Sequence, residues 1–182
     1  MKSISHFAAL LIIATLTIFS SCEQDDPGPN PNDQELITSV QVHFADSVAG
    51  TVQTFQWRDL DGPGGANPQI DTVSLKANTK YNLSIDVLDE SKNPDDTITT
   101  EIRTEALAHI FLFKAIGSGF SFTQNYLDFD VNGLPLGLTN TFFTGNPASG
   151  KIRIILKHES DKVLAETTGE TDLDVQFDAK FE

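Results

Sequence analysis

The chain has 182 residues, with 26 acids against 12 bases and a formal charge of −14. That balance argues against nucleic acid as a partner and against a basic patch for anionic lipid. A single cysteine excludes an intrachain disulfide, so the fold must rest on a buried core, for which 13 phenylalanines and an apolar fraction of 39% provide material.

The chain opens MKSISHFAALLIIATLTIFSSCEQDD. Lys2 is the positive end, an apolar run follows to Phe19, and Ser20 and Ser21 precede Cys22. A short apolar run ending in small residues has the form of a secretory signal over residues 1–21. It is too short to span a membrane, which takes roughly 20 apolar residues. The small pair followed by cysteine resembles the lipobox of bacterial lipoproteins, although Phe19 stands where leucine is commonest. The resemblance implies that Cys22 is diacylated and becomes the new N-terminus. A free thiol behind an ordinary leader is the plainer alternative; the position of the only cysteine favours lipidation. Removing residues 1–21 takes away Lys2 and no acid, so −14 becomes −15. Glu23 is not the aspartate of the inner-membrane retention rule, which implies anchoring at the outer membrane. The acidic run over residues 23–26 resembles the surface-export signal of Bacteroidota lipoproteins, and reads equally as a solvated linker. Residues 27–32, PGPNPN, hold neither helix nor sheet, because proline removes donors and fixes the backbone. Residues 22–34 thus read as a lipidated cysteine and flexible tether, and 35–182 as the folded domain.

From there the pattern has period two. Val40, Val42 and Phe44 alternate with Gln41 and His43, and Phe55 and Trp57 alternate with Gln56 and Arg58. The same alternation runs through Val73, Leu75 and Ala77, through Tyr81, Leu83, Ile85 and Val87, through Ile152, Ile154 and Leu156, and from Leu173 to Phe181. Successive side chains of a strand point to opposite faces, so strict alternation marks half-buried strands. Turn residues separate the runs, as at Asp61-Gly62, Asn132-Gly133 and Gly145-Asn146-Pro147. Many short strands at this spacing predict an all-β, antiparallel, immunoglobulin-like sandwich.

One stretch departs from the pattern. Over residues 95–108, DDTITTEIRTEALA, the apolar positions fall near helical spacing and Asp95 or Asp96 can cap the free N–H groups. A short helix across one end of the sandwich is expected, running into an apolar strand over 109–115 that reads as central and buried on both faces. Leu127, Phe129 and Val131 are out of phase with Phe120 and Phe122, which a bulge near Gln124-Asn125 would reconcile.

Two groups of residues suggest metal chemistry. The loop from Asp59 begins like a calcium loop, with Asp59, Asp61 and a glycine at the sixth place, Gly64. The closing bidentate acid is missing, since the twelfth place is Ile70, and the fifth is Pro63. A glycine-rich hairpin connection is the stronger reading there. Elsewhere, Glu101, Glu105 and His109 are spaced by four, which aligns them if the helix reaches His109. His158 has the inward parity of Ile154 and Leu156. Glu105, His109 and His158 could therefore hold zinc or copper, since neutral imidazole and carboxylate are usual ligands. The plainer alternative, two strand-end histidines bonded to backbone or carboxylate, stays ahead on spacing alone. Haem held by the two inward histidines is a third idea. His43 is expected at the surface. No thiol nucleophile survives lipidation, and no G-x-S-x-G, H-E-x-x-H, P-loop or dinucleotide motif is present, so no enzyme is expected.

Several stretches carry a resemblance: ELITSVQVHF, FQWRDLDGPGG, LKANTKYNLSIDVLDES, EALAHIFLF, IILKHESDK and GETDLDVQF. Together they resemble an uncharacterised family of Bacteroidota lipoproteins, some labelled as type 1 periplasmic binding proteins. The chain does not suit that label, because the two-lobed α/β fold needs alternating strands and helices and about twice the length. Family members are often encoded beside TonB-dependent receptors of the outer membrane. The resemblance thus implies a non-catalytic binding lipoprotein that assists uptake of a small ligand or metal. The alternative is a structural or adhesive module that contacts protein or glycan through its sheet.

Overall fold

The computed structural model describes residues 36–62, 64–158 and 161–182. The readings of the signal peptide, Cys22 and the tether lie outside the described residues, as do Pro63 and Glu159.

The domain is an all-β sandwich of two sheets with one α-helix. The alternating segments become β1 (Ser39–Asp46), β2 (Val52–Arg58), β4 (Val73–Leu75), β5 (Lys80–Leu88), β9 (Ala148–His158) and β10 (Glu170–Phe181). The remaining strands are β3 (Gln69–Ile70), β6 (Ile110–Ile116), β7 (Phe122–Tyr126) and β8 (Thr139–Thr144). The larger sheet has the order β3-β2-β1-β5-β8-β7, and the smaller has β4-β10-β9-β6. Pairing is antiparallel except for one parallel edge, where β4 joins β10 with Ala179 opposite Val73. The expected antiparallel sandwich thus carries one mixed edge.

The core lies between the sheets and is made of the inward parity positions. Val40, Val42 and Phe44 of β1, Tyr81 to Val87 of β5, Ile152 to Leu156 of β9 and Leu173 to Phe181 of β10 supply most of it. Aromatic rings fill one end: Phe44 meets Phe142 edge-on at 5.1 Å, and Phe120 stacks on Phe181 at 4.5 Å. Each such ring removes a large apolar area from water, worth roughly 25 cal/mol per Å².

The outer faces of the two sheets differ. Gln41, Thr54, Asn82, Ser84 and Thr141 cover the larger sheet, on the rows defined by the pairing of β1 with β2 and β5 and of β5 with β8. The smaller sheet is crossed by ion pairs, Lys151 to Asp178 at 2.5 Å and Arg153 to Asp174.

Three expectations are corrected. The helix α1 spans only Ile98–Thr104, and a turn occupies 105–108. The three threonines among its seven residues are poor helix formers, and Thr99 is drawn into bonds with both backbone groups of Val87. Asp96 does not cap it: its backbone pairs with Asp89, and Thr97 takes the cap position without a side-chain bond. Second, β6 is an edge strand, not a central one. Its first residues are nonetheless buried, because Ala165 covers Ile110, Leu112 and Ile155 on the outer side. The loop after β7 closes part of its free edge through Phe111 N–H to Leu136 O, 2.7 Å. Third, β7 pairs with β8 in unbroken register. Leu127, Phe129 and Val131 lie beyond its end and are exposed, so no bulge is needed to turn them inward. A bulge does occur in β10, between Thr171 and Leu173.

Candidate metal centre

The two strands β6 and β9 bring the histidines together. Ile110 lies opposite Lys157, so extending the register by one residue sets His109 opposite His158. Both have the inward parity of Phe111 and Leu156, and both are buried, at 0% and 6% exposure. Their rings stack with centroids 4.5 Å apart and planes 10° from parallel. No slot for a macrocycle exists between rings this close, which removes the haem idea.

Glu105 arrives by a different route. Because α1 stops at Thr104, Glu101, Glu105 and His109 do not share a helical face. The turn that follows has Glu105 N–H bonded to Glu101 O at 2.8 Å and Ala108 N–H to Glu105 O at 2.9 Å. It folds the chain back so that His109 Nδ1 lies 3.2 Å from the carbonyl of Glu105. One ligand atom from each of Glu105, His109 and His158 then lies within 4.8 Å of the other two. Among the described residues this is the group of three or more potential ligands so placed. A tetrahedral zinc with bonds of 2.0–2.1 Å keeps its ligand atoms about 3.4 Å apart, so closing the site takes shifts of about an ångström and a turn of the two stacked rings out of parallel.

A buried lysine holds this corner. Lys162, in the short 3₁₀ turn Lys162–Leu164, bonds through Nζ to Ala106 O, to Pro135 O at 3.0 Å and to Asp130 Oδ2 at 2.9 Å. All three ammonium donors have acceptors, and the two charged side chains are 2% and 1% exposed. Burying such a pair is tolerable only when geometry and remaining bonds are this complete. Asp130 also accepts from the N–H of Asn132 and of Leu134. Its pKa is lowered, first by the bond from Lys162 and then by those amides, against the opposing effect of burial. The clamp ties the 105–108 turn to the loop after β7, and thereby fixes Glu105 and His109.

Sequence parity missed one residue of the site. In β10, Asp172 has the outward parity of Asp174 and Gln176, and reads as a solvated acid. The bulge makes it an extra residue: Thr171 pairs with Lys157 and Leu173 with Leu156, and Asp172 is the residue inserted between them. Its side chain is turned inside, 1% exposed, with Oδ2 at 3.9 Å from both His109 Nε2 and His158 Nδ1. Only the one-residue slip between the β9 and β10 patterns could have signalled this.

The other candidates are not joined to this centre. Asp59 Oδ1 accepts from Gly62 N–H at 3.1 Å, and Asp61 Oδ2 from Ala66 N–H at 2.7 Å. The Ala66 amide is the chief cause of a lowered pKa at Asp61. The two carboxylates thus fasten their own loop, and a Cβ at Gly65 would lie 2.3 Å from Asp61 Oδ2, so a side chain there would push that carboxylate off the Ala66 amide. His43 lies on the outer face of the larger sheet as expected, with Nδ1 2.8 Å from Thr54 Oγ1 and Nε2 3.1 Å from Asp86 Oδ2. Cys22 lies outside the described residues, among which no helix is long and apolar enough to cross a membrane. No family model matches the chain, and the comparisons with curated proteins and with solved structures give no match either.

Proposed function

We propose that the protein is a non-catalytic binding lipoprotein that holds a divalent transition metal, zinc or copper, at Glu105, His109 and His158. The observation that carries this reading is the convergence of these three ligand atoms within 4.8 Å. They come from a helix-end turn, the entry to β6 and the end of β9. Two imidazoles and a carboxylate form a donor set suited to borderline metals, and calcium or magnesium would ask for oxygen alone. With an acyl chain on Cys22 and the 22–34 tether, the domain would sit at the outer membrane and pass its ion to a transporter such as a TonB-dependent receptor. Calorimetric titration of the purified protein with zinc and with copper tests the binding. One ion per chain, lost in His109→Ala and in His158→Ala, is the expected result. Binding no tighter than millimolar removes the reading. Incorporation of labelled palmitate, absent in Cys22→Ala, tests the anchor.

A second reading draws on the outer face of the larger sheet. Its rows of amides and hydroxyls, beside a hollow of about 290 Å³ lined by His43, Val52, Asn82 and Leu127 among others, suit a neutral glycan or a protein surface. Normal metal uptake with lost attachment after gene deletion would favour it.

A further inference from the structure

We propose that the end of the sandwich at which the chain enters β1 rests on a lipid bilayer, with Leu107, Phe129, Val131, Val163 and Leu164 seated among the headgroups. The inference rests on the anchor reading above and names the face of the domain that meets the membrane. These five side chains are between 54% and 90% exposed, and they come from three separate segments. Single exposed apolar residues are ordinary on a surface, whereas a group gathered from several loops marks a binding face. Lys162 gathers this one. Its ammonium bonds Ala106 O and Asp130 Oδ2, so Leu107, Phe129, Val131 and Val163 are each the chain neighbour of a member of the clamp. Leu164 follows Val163 in the same short turn. The buried ion pair already holds the three segments in place, so little conformational entropy remains to be lost when their tips enter an interface.

The occupant follows from where the anchored chain arrives and from charge. β1 starts at Ser39, opposite Leu88 at the end of β5. Thr99 of α1 bonds both backbone groups of the adjacent Val87, and α1 leads directly into the 105–108 turn. The first strand thus begins at the end of the sandwich that carries the apolar tips. The turn that joins β1 to β2, with Val48 in it, lies at the other end. From Cys22 to Leu36 the covalent chain reaches at most about 50 Å when fully extended. Acyl chains on Cys22 would therefore keep this end close to the bilayer and raise the local concentration of lipid around it. Charge then selects the lipid. The three segments carry Glu105, Asp128, Asp130, Asp161 and Glu166 against Lys162. Anionic headgroups would be repelled, so the attraction is apolar and the surface that fits is zwitterionic.

Mature lipidated protein reconstituted in phosphatidylcholine vesicles with brominated acyl chains tests the placement, since bromine quenches indole fluorescence only at short range. Val131→Trp and Val48→Trp put an indole at each end, at positions 90% and 95% exposed where a larger side chain stands in solvent. Trp57 is the only native tryptophan, and the unsubstituted protein supplies its background. The expected result, relative to unbrominated vesicles, is loss of most of the added emission in Val131→Trp and no loss in Val48→Trp. Adding Val163→Asp to Val131→Trp is expected to restore part of the emission. Equal quenching at the two ends overturns the inference and leaves the anchor standing. So does an unquenched Val131→Trp in protein that floats with the vesicles, which would leave the apolar tips to a protein partner. Wild-type protein that does not float with the vesicles overturns the anchor and the inference together.

Discussion

The loop from Asp59 to Ala66 and the corner at His109 are both acidic or imidazole-bearing, and they use those groups in opposite ways. In the loop, two carboxylates close in sequence reach back to the amides of Gly62 and Ala66 and hold their own turn. At the corner, two histidines 49 residues apart converge because β6 and β9 set His109 opposite His158. A local pattern that resembles a metal loop is consumed by local backbone bonding. A distant set with no local pattern is assembled by strand register. Carboxylate density is therefore a poorer guide here to which potential ligands converge than inward parity at strand ends.

The contrast breaks most sharply under substitution of ligands. His109→Ala and His158→Gln are each expected to weaken zinc binding by at least a hundredfold, about 2.7 kcal/mol, in calorimetry. Asp59→Asn and Asp61→Asn should leave that titration unchanged. Equal losses from both regions would erase the distinction. The next largest effect is on stability. Lys162→Met leaves Asp130 charged and buried, and is expected to cost about 3–5 kcal/mol in urea unfolding. The double variant Lys162→Met, Asp130→Leu should recover much of that loss, because a well-packed apolar pair replaces a buried ion pair at little net cost.

Acid sharpens the same point. The folded-state pKa of Asp130 lies below its ordinary value of 3.8. Its contribution to stability is therefore complete above the unfolded-state pKa and lost as pH falls through the lowered folded value. Unfolding curves from pH 5 down to pH 2 should steepen in the wild type and flatten in Asp130→Asn. In the loop, Asp61→Asn should lower the melting temperature by less than Lys162→Met does, without altering a calcium titration. The smallest effect is expected at His43, on the solvated face: His43→Ala should leave zinc binding unchanged and shift stability by about 0.5 kcal/mol or less.

The fold was largely legible because its signal is local. Alternation at Val40 to Phe44, Tyr81 to Val87 and Leu173 to Phe181 reports which face is buried, and burial follows it residue by residue. The same parity pointed His158 inward. What was not legible depended on contacts between distant segments. The helix pattern over 95–108 overshot, since nothing in it reveals that Thr99 is wanted by Val87. The apolar run at 109–115 suggested a central strand, when its cover comes from Ala165 and from the loop around Leu136. Phe129 and Val131 were expected inside because they are apolar, yet they stand exposed beyond the end of β7. Asp172 was missed because a single bulge inverts the parity on which the reading depends.

Zinc K-edge X-ray absorption on the protein loaded with one equivalent of zinc tests the central claim most directly. A four-coordinate shell of nitrogen and oxygen with two imidazoles and carboxylate oxygen is expected, with loss of one imidazole in His158→Gln. A shell of oxygen alone, or a spectrum that His158→Gln leaves untouched, would contradict it.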